Sequence, residues 1–447
     1  LGTVFDALED YGPAIDAYQE AAAIARSIGN RRLEAFNLHN LSGTLVSLER
    51  FTEAEAAAIA AIEIYESLRV DLSDSQYITL LDTQANTYGL LQEIHIAQNK
   101  PIDALLASER GRAQAFILQL SQRLNLPMDA DSTVTQIPDL AEIQQIANEQ
   151  EMTLVEYSLI SDRLLYIWVV PPTGDIQFRS VDLELDDLEL DALDSGSVAG
   201  SANPLAALED AAASGEASAV TTLVADLRSR GIGGVSSSGT NGETLLRSLY
   251  DLLIDPIADL LPADPEDKVV FIPQGSLFLV PFAALQDASG QHLIERHTVL
   301  SAPSIQTLGL ASSASQARRL NLQNLADALV VGNPVMPEVW LPGEEGLAPV
   351  ELAPLPGTAA EAQAIADFLN VAPLIGAEAT EAAVKAQLPG TDIIHLATHG
   401  LLNYGDPQAS GVLDVPGAIA LTPGSGEDGL LTAAEILEMD LQAQLAN

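Results

Sequence analysis

The sequence predicts an α + α/β protein: a helical repeat solenoid over residues 1–120, then an α/β sandwich with a mainly parallel central sheet over 151–447. Three observations point there. Two alanine-rich stretches near the start align at an offset of 40 residues. At Met152 the pattern turns from helical periodicity to β-rich runs. From Thr244 onward, near-continuous apolar segments alternate with helix-like ones, which is how strands buried on both faces read.

The aligned stretches are "ALEDYGPAIDAYQEAAAI" from Ala7 and "SLERFTEAEAAAIAAIEI" from Ser47. Each opens its second helix with an aromatic, Tyr11 or Phe51. A small residue follows three positions on (Ala14, Ala54) and another seven later (Ala21, Ala61). "PIDALLASERG" repeats the spacing with Ala104 and Gly111. Small residues seven apart share one helix face and let a partner helix come close. This resembles tetratricopeptide repeats, with a period near 40 in place of the usual ~34; an ordinary alanine-rich bundle is the alternative.

Residues 121–150, with Pro127 and Pro138, read as a connector. Met152–Ile160 and Arg163–Val170 flank Ser161-Asp162 as a β-hairpin, and Ile176–Val181 offers a third strand. An acidic, Gly- and Ser-rich stretch at about 182–242 reads as a solvated insertion with loops around one or two helices. Then come a helix ("LLRSLYDLLIDPIADLL"), a strand at Lys268–Pro273, an apolar segment at Leu277–Phe282 and a strand at Ala328–Pro334. A helix is predicted from Thr358, with Thr358 and Glu361 as its capping box. A further helix over Glu381–Leu388 leads into a strand over Thr391–Gly400.

Of the 447 residues, 63 are acidic and 19 basic, a net charge of −44. That argues against nucleic acid and anionic membrane surfaces as partners, since both need clustered Lys and Arg. Such acidity keeps a chain soluble and is a lever halophiles use. There is no cysteine, which excludes disulfides, Cys-based zinc sites and a cysteine nucleophile within these residues. No apolar run reaches the ~20 residues of a membrane span, and no signal peptide is visible, so a cytoplasmic location is expected. Leu1 falls inside a repeat, so a cut N-terminus is expected too.

The sharpest chemical signal is Ile393-Ile394-His395-Leu396-Ala397-Thr398-His399-Gly400. Two imidazoles in an apolar strand each need a reason. With a period of two they share a face. His395 lies deeper and suits a hydrogen-bonded structural role. His399 precedes a glycine at the strand exit, where side chains become accessible and where functional groups gather in parallel sheets. Gly400 permits close backbone approach, so its N–H could meet a developing oxyanion. His395-x-x-x-His399 has zinc-like spacing but lacks the glutamate of H-E-x-x-H. His39, His95, His292 and His297 are scattered. "GIGGVSSSG" falls one residue short of a dinucleotide fingerprint, and no phosphate-loop motif occurs, so neither cofactor nor metal is expected. Asp406, after the histidine motif, is a candidate for a pocket selecting a basic residue, or one surface acid among many.

"HLATHG" at the end of an apolar strand resembles the histidine motif of the caspase-like peptidases, and of CHAT domains in particular. "EMTLVEYSLISDRLLYIWVV", "LYDLLIDPIADLLP", "KVVFIPQGSLFLVPFAAL", "LVVGNP", "LPGTAAEAQAIADFL" and "GLLTAAEILEMDLQAQLAN" follow in that family's order, from about residue 150 to 447. The resemblance implies a cysteine–histidine dyad with His399 as general base and Gly400 as oxyanion donor. It implies a protein or peptide substrate, a protein partner on the repeats, and a cysteine on the strand after Asn447. The expectation is a cysteine endopeptidase that is inactive as these 447 residues, with the strand position beside His399 empty or taken by a foreign segment. The alternative is a non-catalytic repeat scaffold with a degenerate CHAT domain.

Overall fold

The computed structural model describes residues 1–68, 74–124, 138–160, 163–183, 242–309, 328–340, 349–404 and 415–432, together with 220, 221, 223, 224, 227, 435, 436, 439, 441, 445 and 446. By internal contact the chain forms two units, residues 1–122 with 127–310, and residues 123–126 with 311–447.

The first unit opens with helices α1 (Gly2–Ala7), α2 (Tyr11–Ser27), α3 (Arg31–Ser47), α4 (Phe51–Ser67), α5 (Asp74–Ala97) and α6 (Pro101–Leu124). Four of the turns between them share one device. Glu9, Gly29, Glu49 and Asn99 each adopt positive φ, of 59°, 74°, 56° and 60°. The next N–H then bonds back five residues, as from Asp10 to Phe5 and from Arg50 to Leu45, the usual left-handed helix stop. The first three stops lie 20 residues apart, so helix pairs recur every 40. Ala14, Ala54 and Ala104 are wholly buried, so the small residues stand where helices meet.

Helix α7 (Leu140–Gln150) starts with a capping box of Asp139 and Glu142 and leads into β1 (Met152–Ile160) and β2 (Leu164–Val170). With β3 (Gln177–Asp182), β4 (Lys268–Ile272) and β5 (Thr298–Ser301) these form a sheet in the order β3-β2-β1-β4-β5. The hairpin pairs antiparallel, Leu154 opposite Val170, while β1–β4 and β4–β5 pair parallel. One face, with Val155, Tyr157 and Ile167, packs on α8 (Gly242–Leu253). The other, with Leu154, Trp168 and Val270, packs on Ala104, Leu105 and Ile143. Trp168 Nε1 donates to Pro101 O at 2.8 Å. Val220, Leu223, Val224 and Leu227 join the α8 side of the core, so part of the stretch expected to be solvated is buried; its apolar residues at helical spacing form one stripe. The Leu277–Phe282 segment contains 3₁₀ turns.

Within this core lie two acids. Glu109 of α6 and Glu156 of β1 are both unexposed. Glu109 accepts from the N–H groups of Ile305 and Gln306 at 3.0 and 3.2 Å. Arg112 Nε lies 3.3 Å from Glu156 Oε1, and its guanidinium also donates to the carbonyls of Tyr157, Ile272 and Pro273. Burial raises both carboxyl pKa values, Glu156 far above the ordinary range. The neighbouring Glu109 charge adds to the rise at Glu156, and Arg112 opposes it.

The second unit holds β6 (Ala328–Pro334), β7 (Glu338–Val339), β8 (Val350–Glu351), α9 (Pro356–Leu369), β9 (Leu374–Gly376), α10 (Glu381–Gln387), β10 (Ile393–Ala397), β11 (Gly400–Tyr404), β12 (Val415–Ala420), β13 (Leu430–Thr432) and β14 (Leu445–Ala446). A parallel sheet runs β14-β10-β6-β9; β11-β12-β13 form an antiparallel sheet, and β7-β8 a short ladder. The described strands thus form several sheets, partly parallel, where the sequence suggested one central sheet. Val330, Ala362 and Ala366 join α9 to one face of the parallel sheet; Leu329, Val331, Val384 and Ile394 pack with α10 on the other. Among the described residues, no helix is long and apolar enough to cross a membrane.

Two local readings change. The Thr391–Gly400 strand stops at Ala397, and Gly400 starts a strand of the antiparallel sheet. The expected capping box at Thr358 and Glu361 is not made: α9 begins at Pro356 with Leu355 at its N-cap and no side-chain cap. Two prolines, at 354 and 356, set the helix entry instead, because proline suits the first helical turn.

Candidate functional site

The apolar run of β10 ends in Thr398, whose hydroxyl donates to Ala420 O at 2.7 Å, while Ala420 N–H donates to His399 O at 2.9 Å. The backbone at the histidine is therefore held against β12. Gly400 pairs with Ile419. Since the ladder bond runs from Ala420 to His399, that pair is a non-hydrogen-bonded one, and the Gly400 N–H points away from β12. A Cβ built on Gly400 would meet nothing within 4 Å, so there is open space beside it. Thr422 ties the neighbouring strand ends together, accepting from Val335 N–H at 2.9 Å and donating to Gly376 O at 2.8 Å.

His399 is half-buried. Its Nε2 lies 2.7 Å from the carbonyl oxygen of Ala353. A carbonyl only accepts, so Nε2 carries the hydrogen in the neutral ring and Nδ1 keeps its lone pair. The ring is thus a base oriented by a backbone oxygen, at the carboxyl end of a parallel strand. His395, opposite Val330 on the α9 side of the sheet, is buried, with Nε2 3.1 Å from Glu361 Oε1. The two histidines use their Nε2 atoms on separate partners. Asp406 lies outside the described residues.

The strand position beside β10 is entered by the chain itself, with Leu445 opposite Ile393 and Ala446 opposite Ile394. These two pairs lie at the start of β10 and do not reach the level of His399, where an empty or foreign-filled position was expected. Elsewhere in the unit, Glu381, Glu427 and Glu435 bring their carboxylates within 4.8 Å of one another. The Lys385 ammonium sits among them at 2.5, 3.1 and 2.7 Å. Burial works against its charge, but the three carboxylates outweigh it and raise the lysine pKa. The group is a charge knot fastening α10 to the segment around β13.

Sequence reasoning did not find Ala353, because a backbone carbonyl leaves no side-chain signature. Nor did it find Asn333, whose position ahead of Pro334 at a strand end was the available signal, since Asn-Pro marks a turn.

Residues 243–447 match the family model of the CHAT domain. The matched stretch begins inside α8 and holds His395, His399 and Gly400, whereas the resemblance read from the sequence starts near residue 150. The chain is 27% identical over 456 residues to tetratricopeptide repeat protein 28 of Mus musculus, and 27% identical over 453 residues to the Homo sapiens protein of the same name. Each alignment covers 83% of this chain and 18% of the relative, so the chain spans a minor part of their length. A CHAT domain preceded by helices thus has counterparts in proteins named for tetratricopeptide repeats.

Proposed function

We propose that this chain contributes the histidine half of a caspase-like cysteine endopeptidase, with the helical repeats carrying a protein partner. The observation that supports it best is the 2.7 Å contact between His399 Nε2 and Ala353 O, which leaves Nδ1 as the proton acceptor. In this reading Nδ1 takes the proton of a thiol, and the thiolate attacks the peptide carbonyl. Gly400 N–H then meets the oxyanion, and the imidazolium returns its proton to the leaving amine. Water afterwards cleaves the thioester.

The thiol must come from outside the sequence, which has no cysteine. With Ala446 opposite Ile394, a strand continued in that register would reach the level of His399 five residues after Ala446. The test is a chain extended through that strand, assayed on a fluorogenic peptide library beside the present chain. Activity is expected in the extended chain alone, and His399→Ala should lower it by at least ~10²-fold, the low end for a positioned base. Full activity of extended His399→Ala, or proteolysis by the present chain, would defeat the reading. The absence of cysteine equally favours a second reading, a non-catalytic scaffold. Serine, alanine or glycine at the continued strand's position opposite His399 would select it.

A further inference from the structure

The Ala353 carbonyl can orient His399 only if its own segment is fixed, and two residues outside the motif fix it. Asn333 follows Gly332 at the end of β6, where the ladder with β9 slips: Gly332 pairs with Ile375 and Pro334 with Gly376. It is bulged out with φ of 41°, a left-handed conformation that asparagine tolerates better than most residues. Its Oδ1 accepts from Leu355 N–H at 2.7 Å, and its own N–H donates to Thr358 Oγ1 at 3.0 Å. Thr358 Oγ1 in turn donates to Leu355 O at 2.8 Å. Both polar groups of Leu355 are therefore held, in a closed circuit of three side-chain bonds.

Leu355 sits between Pro354 and Pro356. A residue before proline is kept out of the helical region, where Leu355 with φ −112° and ψ 73° does not stand, and the proline ring locks its own φ, so rotation between Leu355 and Ala353 is restricted. We infer that Asn333 and Thr358 are positioning residues that hold the Ala353 carbonyl against His399, and through it fix which ring nitrogen keeps its hydrogen. Helix capping does not account for Thr358, because a capping hydroxyl accepts from a helix N–H, and this one accepts from Asn333 and donates to Leu355. The inference takes its catalytic meaning from the peptidase reading but concerns geometry already present in this chain.

The test is the water exchange of the His399 Nε2 proton, followed by imidazole ¹⁵N–¹H spectroscopy on the present chain and assigned with His399→Gln. Asn333→Gly removes the acceptor while allowing the backbone; Thr358→Val removes the hydroxyl while keeping the shape. Each should speed exchange at least ~10-fold, the equivalent of about one hydrogen bond, whereas Asn333→Asp and Thr358→Ser should stay near wild type. Thr380→Val removes a cap from α10, where Thr380 Oγ1 accepts from Ala383 N–H, and should leave the proton unchanged. Wild-type exchange in Asn333→Gly and Thr358→Val, equal acceleration in Thr380→Val, or unfolding of both test variants by circular dichroism would overturn the inference. The readout needs neither thiol nor substrate. A protected proton that responds as stated, in a chain whose extended form is inactive, would defeat the peptidase reading alone.

Discussion

Glu109 and Glu156 share the Arg112 guanidinium in the buried core of the first unit, one guanidinium for two carboxyl groups. One cation faces two buried carboxyl groups, so burial, and at Glu156 the neighbouring Glu109 charge, raise their pKa values against the pull of Arg112.

The pair therefore links stability to pH. Each carboxyl is held above its unfolded value near 4.5. A raised carboxyl binds its proton more tightly folded than unfolded, so its stabilising contribution is complete below pH 4.5 and fades as pH rises toward the folded value. Glu156→Gln, neutral at every pH, should flatten the decline of unfolding free energy above pH 4.5. Urea titrations across pH measure it, and a slope unchanged from wild type would contradict the account.

Ile24 and Ile64 stand 40 residues apart, at matching places in the two aligned stretches, but differ in burial. Ile64 is 5% exposed, packed with Ala35 and Ala61, while Ile24 is 54% exposed. Ile64→Ala should cost ~2–5 kcal/mol, and Ile24→Ala should fall within about ±0.5 kcal/mol. Similar losses from both, by chemical denaturation, would contradict this difference in burial.

Gly332 leaves no room for a methyl group. A Cβ there would lie 2.5 Å from Ala362 Cβ and 2.6 Å from Thr358 O. Gly332→Ala should destabilise by ~1–3 kcal/mol through overpacking against α9. Ala362→Gly in the same chain should restore only part of that, because the clash with the Thr358 carbonyl stays. A double-mutant cycle gives the number.

The charge of −44 predicts a salt response. The Debye length falls from about 30 Å at 0.01 M salt to about 3 Å at 1 M, so carboxylate repulsion across the fold is screened away. The melting temperature should climb with KCl. A flat or falling curve would remove self-repulsion as a term in stability.

The legible parts of the fold are those set by nearest neighbours along the chain. The hairpin was readable because two β-rich runs flank Ser161-Asp162, and the helix contacts because Ala14, Ala54 and Ala104 fall at one spacing. The run "IIHLATHG" read as a single strand, since nothing local tells Thr398 that its hydroxyl will bond to Ala420, 22 residues on. Nothing in "TLVEYSLI" marks Glu156 as buried. Its burial depends on Arg112 and Glu109, more than 40 residues earlier. His399 was singled out by type and position, yet its hydrogen-bond partner was out of reach, because Ala353 acts through an atom every residue carries.

Only Thr398 and His399 separate the end of β10 from the start of β11. A link that short has no slack. The antiparallel hairpin of β11 and β12 is in effect a lever arm, and the histidine is its fulcrum. A force that tilts the hairpin cannot be absorbed before it reaches the imidazole; it must turn the ring away from Ala353 or break the bonds at Ala420. Whatever grips that hairpin from outside would thus act on the histidine mechanically, without touching it.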